Sequence, residues 1–399
     1  MDGDNMGGEL SALDFTLRTR IVFGLGASLD TGKLARELLP SESGGRVLLV
    51  TDPGIAAEGY AESVERSLSQ AGLEVRRFDK VRQNPTTVDV ETCLACLDGF
   101  QADLLIGLGG GSSIDVAKGC NFLLAGGGRM EDYWGIGKAK GELLPLIAIP
   151  TTAGTGTEMQ SFALIAQEKS HQKMACGDAQ AAPRIAILDP SLTVTKPRSL
   201  TACTGLDTIG HAVETAVTTR RNPISTLFST ESFRLAQANL RRVLQNPGDL
   251  EARGHMLRAS AFGGVAIETS MLGAAHSMAN PLTAHHEVPH GQAVGMMLPH
   301  VVRFNREIDA AAAAYAELTR AAGLCENDAS DEVAVDALLE RLAFLLAEAR
   351  FPASLAECGV PEGAIEDLAE EAARQWTAQF NPRKVTAADF RGLLAAAWS

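Results

Sequence analysis

The sequence predicts an α/β half followed by an all-helical half, and three observations carry that prediction. Apolar runs such as Val47-Leu48-Leu49-Val50, Leu104-Leu105-Ile106 and Leu146-Ile147-Ala148-Ile149 recur before residue 190, with helical stretches between them. Runs of this kind mark strands buried on both faces, as in a parallel sheet. One of them enters Gly109-Gly110-Gly111-Ser112-Ser113, a glycine turn between a strand and a helix. Beyond Pro197 the chain becomes rich in Ala, Leu and Arg, with helical periodicity almost to Trp398. The expected organisation is a flexible start over 1–13, an α/β unit over 14–198 and a helical unit over 199–399.

In order, Arg20–Gly24 reads as a short strand entering a glycine turn. The strand at 47–51 ends at Asp52-Pro53-Gly54, where the carboxylate has two readings. It caps the next helix, or it accepts a ribose hydroxyl as in dinucleotide-binding folds. A helix over 56–72, a strand over 74–79, the loop Gln83-Asn84-Pro85-Thr86 and a helix over 88–100 follow. The strand at 104–108 then meets the triple glycine. Three glycines before a helix let backbone N–H groups approach an anion, and the helix dipole adds attraction. A phosphate cradle is the favoured reading over a tight packing turn. It is not the GxGxxG fingerprint, because the third glycine position holds Ser112. After Pro150 comes the hydroxyl-rich stretch Thr151-Thr152-Ala153-Gly154-Thr155-Gly156-Thr157-Glu158, and Ile185–Leu188 is a last strand. Helices are expected over Phe233–Leu244, Ala252–Ala266, Ala310–Ala322, Asp331–Ala349 and Ala364–Phe380.

Composition narrows the function classes. The chain has 399 residues, 46% of them hydrophobic, enough to bury a large core. A net charge of −14 argues against nucleic acid or an anionic membrane as partner. The start lacks a basic and apolar signal peptide, and no apolar run reaches the ~20 residues of a membrane span. Seven scattered cysteines suit a reducing cytoplasm. Cys93 and Cys96 form a lone CxxC within a helical stretch, which reads as packing.

Asp207-Thr208-Ile209-Gly210-His211 carries the strongest chemical signal. On a helix Asp207 and His211 share a face one turn apart and can close on one cation. His276 and His290 follow. One continuous helix would hold them roughly 21 Å apart, at ~1.5 Å per residue. Pro281 and Pro289 intervene, so the chain is expected to turn back and present both rings to one point. One Asp and three His suit a divalent transition metal, with Fe(II), Zn(II), Co(II), Ni(II) and Mn(II) all compatible.

Taken together, these motifs resemble the iron-containing (group III) alcohol dehydrogenases of the dehydroquinate synthase-like superfamily. The resemblance spans nearly the whole chain, from Thr19–Gly24 through Gly109–Asp115, Pro150–Gly156, Asp207–His211, His276 and His290-Gly291 to Asn381-Pro382-Arg383. It implies a nucleotide domain, a helical domain and an active site in the cleft between them. It implies a divalent metal, Fe2+ foremost and Zn2+ next, held by Asp207, His211, His276 and His290. NAD would be held by Asp52, Asn84, Gly109, Gly110, Gly111, Ser112, Thr151, Thr152, Thr155 and Lys173. The implied chemistry is hydride transfer between NAD(H) and a small alcohol or aldehyde, in a homodimer or higher homo-oligomer.

Two positions depart from the family pattern. Four residues after His276 many members have a proton-relaying histidine, and this chain has Asn280, which cannot titrate. His285 and His286 are the nearby candidates for that relay. Phe162 stands where some relatives carry a polar residue on the cofactor side. Two rivals remain open at this level. One is a lyase using NAD transiently, as dehydroquinate synthase does, although 270–290 holds no Lys or Arg for an anionic substrate. The other is a non-catalytic interaction protein, which would be expected to lose ligands or the glycine turn.

Overall fold

The computed structural model describes residues 14–40, 44–169 and 172–399; the start over 1–13 lies outside the described residues. The first half supplies strands β1 (Arg20–Phe23), β2 (Arg46–Val50), β3 (Glu74–Phe78), β4 (Leu104–Gly109), β5 (Gly135–Ile136), β6 (Leu146–Pro150), β7 (Phe162–Ala166), β8 (Lys173–Gly177) and β9 (Ile185–Leu188). Its helices are α1 (Thr31–Leu38), α2 (Pro53–Ala57), α3 (Tyr60–Gln70), α4 (Thr87–Ala95) and α5 (Gly111–Gly126). Six strands form a wholly parallel sheet in the order β1-β9-β6-β4-β2-β3. β2, β4, β6 and β9 are almost entirely buried, as their uninterrupted apolar runs require. Helices cover both faces, giving two cores, one around Leu48, Leu105 and Val116 and one around Leu49, Ile106 and Ile149.

The second half is helical throughout: α6 (Arg198–Thr215), α7 (Pro223–Gln245), α8 (Leu250–Thr269), α9 (Ala274–His286), α10 (His290–Asn305), α11 (Asp309–Ala321), α12 (Asp331–Ala349), α13 (Ile365–Arg374) and α14 (Ala387–Trp398). Its core gathers Ile209, Phe233, Met278, Val294 and Leu338. The halves meet where the loop after β6 packs on α8: Gly156 N–H donates to Ser260 Oγ at 3.2 Å, and Ser161 Oγ to Glu268 Oε1 at 2.6 Å.

Several expectations are corrected. The helix expected over 56–72 is two, α2 and α3, separated by Gly59 in the left-handed region (φ 79°). The segment 88–100 stops being helical at Ala95, before left-handed Asp98 and Gly99. Ala364–Phe380 divides into α13 and a 3-10 turn over Trp376–Phe380. The three-stranded sheet β5-β8-β7 was not anticipated. Pro281 does not turn the chain back but sits inside α9, and the reversal comes at Glu287, left-handed at φ 56°, just before Pro289 and α10. A proline within a helix loses one backbone hydrogen bond, and here the buried Met278, Ala279 and Leu282 hold the helix together around it. Cys93 is buried in the core beside α5 and Cys96 ends α4, so this pair packs as expected.

Candidate active site

Asp52, Gly109 and Thr151 follow or end β2, β4 and β6, which are adjacent strands, so all three meet at the carboxyl edge of the sheet. Gly109 has φ 147°, and a Cβ there would stand 2.5 Å from Ser113 Oγ. Only glycine serves at this point. Gly110 then begins α5 with no side-chain cap, leaving the first N–H groups of the helix directed outward. Thr151 N–H donates to Gly109 O at 2.9 Å, locking the hydroxyl stretch to the turn. Thr152 and Thr155 lie beside Gly110 and Gly111, where added Cβ atoms would meet them. The buried Thr151 Oγ1 has no hydrogen-bond partner among the described residues. An uncapped helix start, a cradle that any side chain would fill and a waiting hydroxyl fit a nucleotide pyrophosphate.

Both readings of Asp52 have a physical basis. Its Oδ1 accepts from Gly54 N and Ile55 N, each at 3.0 Å, and so caps α2. Its Oδ2 faces the glycine turn, 3.4 Å from Ser113 Oγ. Asn84 stands exposed, left-handed at φ 51°, on the loop that Pro85 O ties to Ala166 N of β7. Lys173 opens β8, where burial lowers its pKa while Asp207 and Asp115 raise it.

In the helical half, α6 presents Asp207 and His211 one turn apart, α9 presents His276 in its first turn, and α10 begins with His290. All three Nε2 atoms approach Asp207 Oδ1: His276 at 3.4 Å, His211 at 3.5 Å and His290 at 3.8 Å. The ligand atoms of Asp207, His276 and His290 lie within 4.8 Å of one another, and His211 stacks on His276 with ring centroids 4.9 Å apart. Donors around an ion with bonds of ~2.0–2.1 Å stand roughly 3.4 Å apart in a tetrahedron. Asp207 Oδ1 and His276 Nε2 are buried without well-directed hydrogen bonds among the described residues. Donor chemistry, spacing and orphaned atoms fit a divalent cation.

Charge within the cluster is strongly redistributed. Burial opposes a charged His276, but the Glu214 and Asp207 carboxylates outweigh it and raise its pKa to about 9. Burial lowers His211 to about 4 in spite of Asp207, and burial with the Lys173 charge lowers His290 to about 3. Asp207 stays below the usual carboxylate range because the surrounding imidazoles overcome its burial.

Glu214 was missed by sequence reasoning. It is buried, its Oε2 lies 2.5 Å from His276 Nδ1, and it accepts from Gly273 N at 3.1 Å and Ala275 N at 2.7 Å. That bond fixes the tautomer that turns Nε2 toward Asp207. Its signal was available: Glu214 lies three residues after His211 and seven after Asp207, on the same helix face. Lys118, fully buried, was also missed; its Nζ donates to Thr157 O, Gln160 O and Phe162 O at 2.7–2.9 Å. It anchors the segment that leads from the hydroxyl stretch into β7.

The proton-relay expectation finds no geometric support. Asn280 Nδ2 donates to Gln375 Oε1 at 3.2 Å. His285 is exposed and bonded to Glu371 Oε2 at 2.7 Å. Nine residues of helix place it roughly 13 Å beyond His276 along the axis. His286, next to it at the C-terminal end of α9, is only partly buried.

Comparison with known proteins places this geometry among relatives. The iron-containing alcohol dehydrogenase family matches residues 18–190, and the C-terminal region of the Fe-containing alcohol dehydrogenase family matches 201–398. The chain is 35% identical to alcohol dehydrogenase 4 of Schizosaccharomyces pombe over 350 residues, covering 88% of this chain and 82% of that one. It is 32% identical to the NAD-dependent methanol dehydrogenase of Bacillus methanolicus over 381 residues, 96% and 98% of the two chains. A crystal structure of 1,3-propanediol oxidoreductase superposes with a TM-score of 0.92 at 30% identity, covering 97% of this chain and 100% of that one.

Proposed function

The chain belongs to the iron-containing alcohol dehydrogenase family, and on that premise we propose that it moves a hydride between NAD(H) and a small alcohol or its aldehyde or ketone. The observation that carries this reading is the convergence of three imidazoles on Asp207 Oδ1, across the cleft from an uncapped glycine turn. When bound, the divalent ion supplies Lewis-acid polarisation of the substrate oxygen, and the nicotinamide accepts or returns the hydride.

The chain's own part is positioning. Asp207, His211, His276 and His290 hold the ion, Fe2+ or Zn2+, and Glu214 aims His276. The Gly109–Ser112 turn receives the pyrophosphate, Thr151, Thr152 and Thr155 offer hydroxyls beside it, and Asn84 and Lys173 border the same cofactor. Asp52 Oδ2 accepts a ribose hydroxyl and repels a 2′-phosphate, favouring NAD over NADP. Asn280 takes up no proton, so release to solvent passes through water rather than a histidine at this position. Residues 14–198 serve as the nucleotide domain and 199–399 as the metal-holding one, a division supported by β9 ending at Leu188 and α6 beginning at Arg198.

The lyase rival has no support among these relatives, and neither ligands nor glycine turn are lost as a non-catalytic protein would lose them. A cytoplasmic homodimer belongs to the same proposal. Seven unpaired cysteines support the compartment. Exposed Phe23, Leu25 and Leu29 beside the edge strand β1 offer a contact surface for a second copy. No helix among the described residues is long and apolar enough to cross a membrane.

The test is anaerobic purification with metal analysis, followed by NAD reduction on a panel of alcohols, diols and hydroxy acids. Activity should vanish on chelation and return with Fe2+ or Zn2+. Activity that survives chelation and dialysis overturns the assignment.

A further inference from the structure

Helix α8 touches both sides of the candidate site. Ser260, Gly264 and Glu268 recur at every fourth position along it, so they share one face. All three meet the segment that leads from the hydroxyl stretch into β7. Gly156 N–H donates to Ser260 Oγ at 3.2 Å. Glu268 accepts from Ser161 through both oxygens, from its N–H at 3.0 Å and its Oγ at 2.6 Å. Between these bonds the backbones touch. A Cβ on Gly264 would overlap Gly156 O, and one on Gly156 would stand 2.7 Å from Gly264 Cα.

Gly263, about 100° further round the helix, abuts the ligand helix α6. A Cβ there would stand 3.4 Å from His211 Cβ. From its other side the 157–162 segment is held by α5, the helix that begins at the glycine turn. Lys118 Nζ donates there to Thr157 O, Gln160 O and Phe162 O at 2.7–2.9 Å. Contacts therefore run from the glycine turn along α5, through 156–162 and across α8, to a ligand of the cluster.

Two features of this face run against the local preferences of a helix. Each of the paired glycines inside α8 costs ~1 kcal/mol relative to Ala. Glu268 stands in the last turn, where the helix dipole disfavours a carboxylate. Its side chain is nevertheless only 16% exposed, with the half-exposed Arg18 3.7 Å away.

We propose that this face of α8 is a spacer, with Gly264 and Glu268 as positioning residues that set the distance from the ligand cluster to the nicotinamide. The inference rests on the dehydrogenase reading for its chemistry, but the distance can be read without turnover. Gly264→Ala forces the two backbones apart by about 1 Å to reach van der Waals contact. A misplacement of that size costs on the order of a hundredfold in rate.

The experiment compares wild type, Gly264→Ala, Glu268→Ala and Glu268→Gln. Zn2+-loaded protein gives kcat and KM for ethanol. Mn2+-loaded protein gives the paramagnetic relaxation of the nicotinamide C4 proton of NAD, which strengthens as ion and ring approach. Gly264→Ala should lower kcat about a hundredfold and change the relaxation at least twofold. Zn2+ content should persist, and KM and NADH affinity should stay within fivefold. Glu268→Ala should lower kcat at least fivefold, and Glu268→Gln, which keeps an acceptor for Ser161, should recover most of that loss. Unchanged kcat and relaxation in Gly264→Ala overturn the spacer, as does a fall in kcat that follows loss of Zn2+ or of NADH affinity. If Gly264→Ala fails to fold, the Glu268 pair decides, and identical kcat and relaxation in its two variants overturn the spacer. Relaxation that shifts in the variants of a protein oxidising no alcohol upholds the spacer and sinks the dehydrogenase reading. A wild type whose NAD feels no Mn2+ overturns the spacer.

Discussion

At the glycine turn the binding surface is backbone that side chains leave uncovered, whereas at the histidine cluster it is the side chains themselves. Gly109 tolerates no Cβ, and the N–H groups beyond Gly110 carry no titratable proton. In the helical half, Asp207, His211 and His276 are buried, and Asp207 Oδ1 and His276 Nε2 have no hydrogen-bond partner among the described residues. The turn is shaped by its backbone; the cluster is shaped by its charges. The difference teaches that one active site can be preorganised in two ways, by backbone shape on one side and by unmet electrostatic demand on the other.

The sharpest way to break the comparison is to damage each side alone. His276→Ala removes a ligand and should abolish turnover and weaken metal binding more than hundredfold, since losing even an outer partner costs about 10–100-fold. NADH titration should be unaffected. Metal content at the wild-type level would refute the ligand assignment.

Gly109→Ala is the mirror image. Its φ of 147° and the 2.5 Å approach to Ser113 Oγ imply strain of about 1–3 kcal/mol. Thermal unfolding should occur at lower temperature and NADH affinity should fall at least tenfold, while metal content persists. Loss of metal with NADH binding intact would show that the two sides are not independent.

A smaller effect separates their pH behaviour. His276 at about 9 stands above its ordinary 6.5, so its contribution to stability is full below pH 6.5 and is lost as pH climbs through 9. His211 at about 4 and His290 at about 3 stand below 6.5, so theirs is present above pH 6.5 and lost as pH falls toward 3. Calorimetry of metal-free protein should give a melting temperature that declines on both sides of about pH 6.5, and metal should flatten the alkaline side. A metal-free melting temperature that climbs from pH 6.5 to 9 would contradict the charge pattern. The smallest change expected is for Asp52→Gly, which should narrow the preference of kcat/KM for NAD over NADP. A wild-type preference for NADP would remove that role from Asp52.

Legibility in the sequence followed the range of each interaction. The glycine turn and the Asp207–His211 pair are local, so spacing and φ requirements expose them. His276 and His290 were legible as residue types, but the turn between them was misplaced because Pro281 is accommodated inside packed α9. Glu214 escaped notice since its partners lie about sixty residues away, and a helical Glu is ordinarily solvated. The sheet of β5, β7 and β8 was missed because its strands are short, and Lys173-Met174-Ala175-Cys176-Gly177 offers only weak alternation. Lys118 reads as a surface cation until the carbonyls of 157–162 fold around it.

Glu214 is bonded at once to the first N–H groups of α9 and to the imidazole that α9 delivers. One carboxylate thus sets both where the helix starts and where its ligand points. The spacing from Ser270 to His276 is consequently a ruler. Inserting or deleting a residue there would rotate the ligand by about 100° around the helix axis. Grafting this centre onto another helical scaffold would require moving the α6 carboxylate and the α9 start as one piece, since the four ligands alone would arrive without their aim.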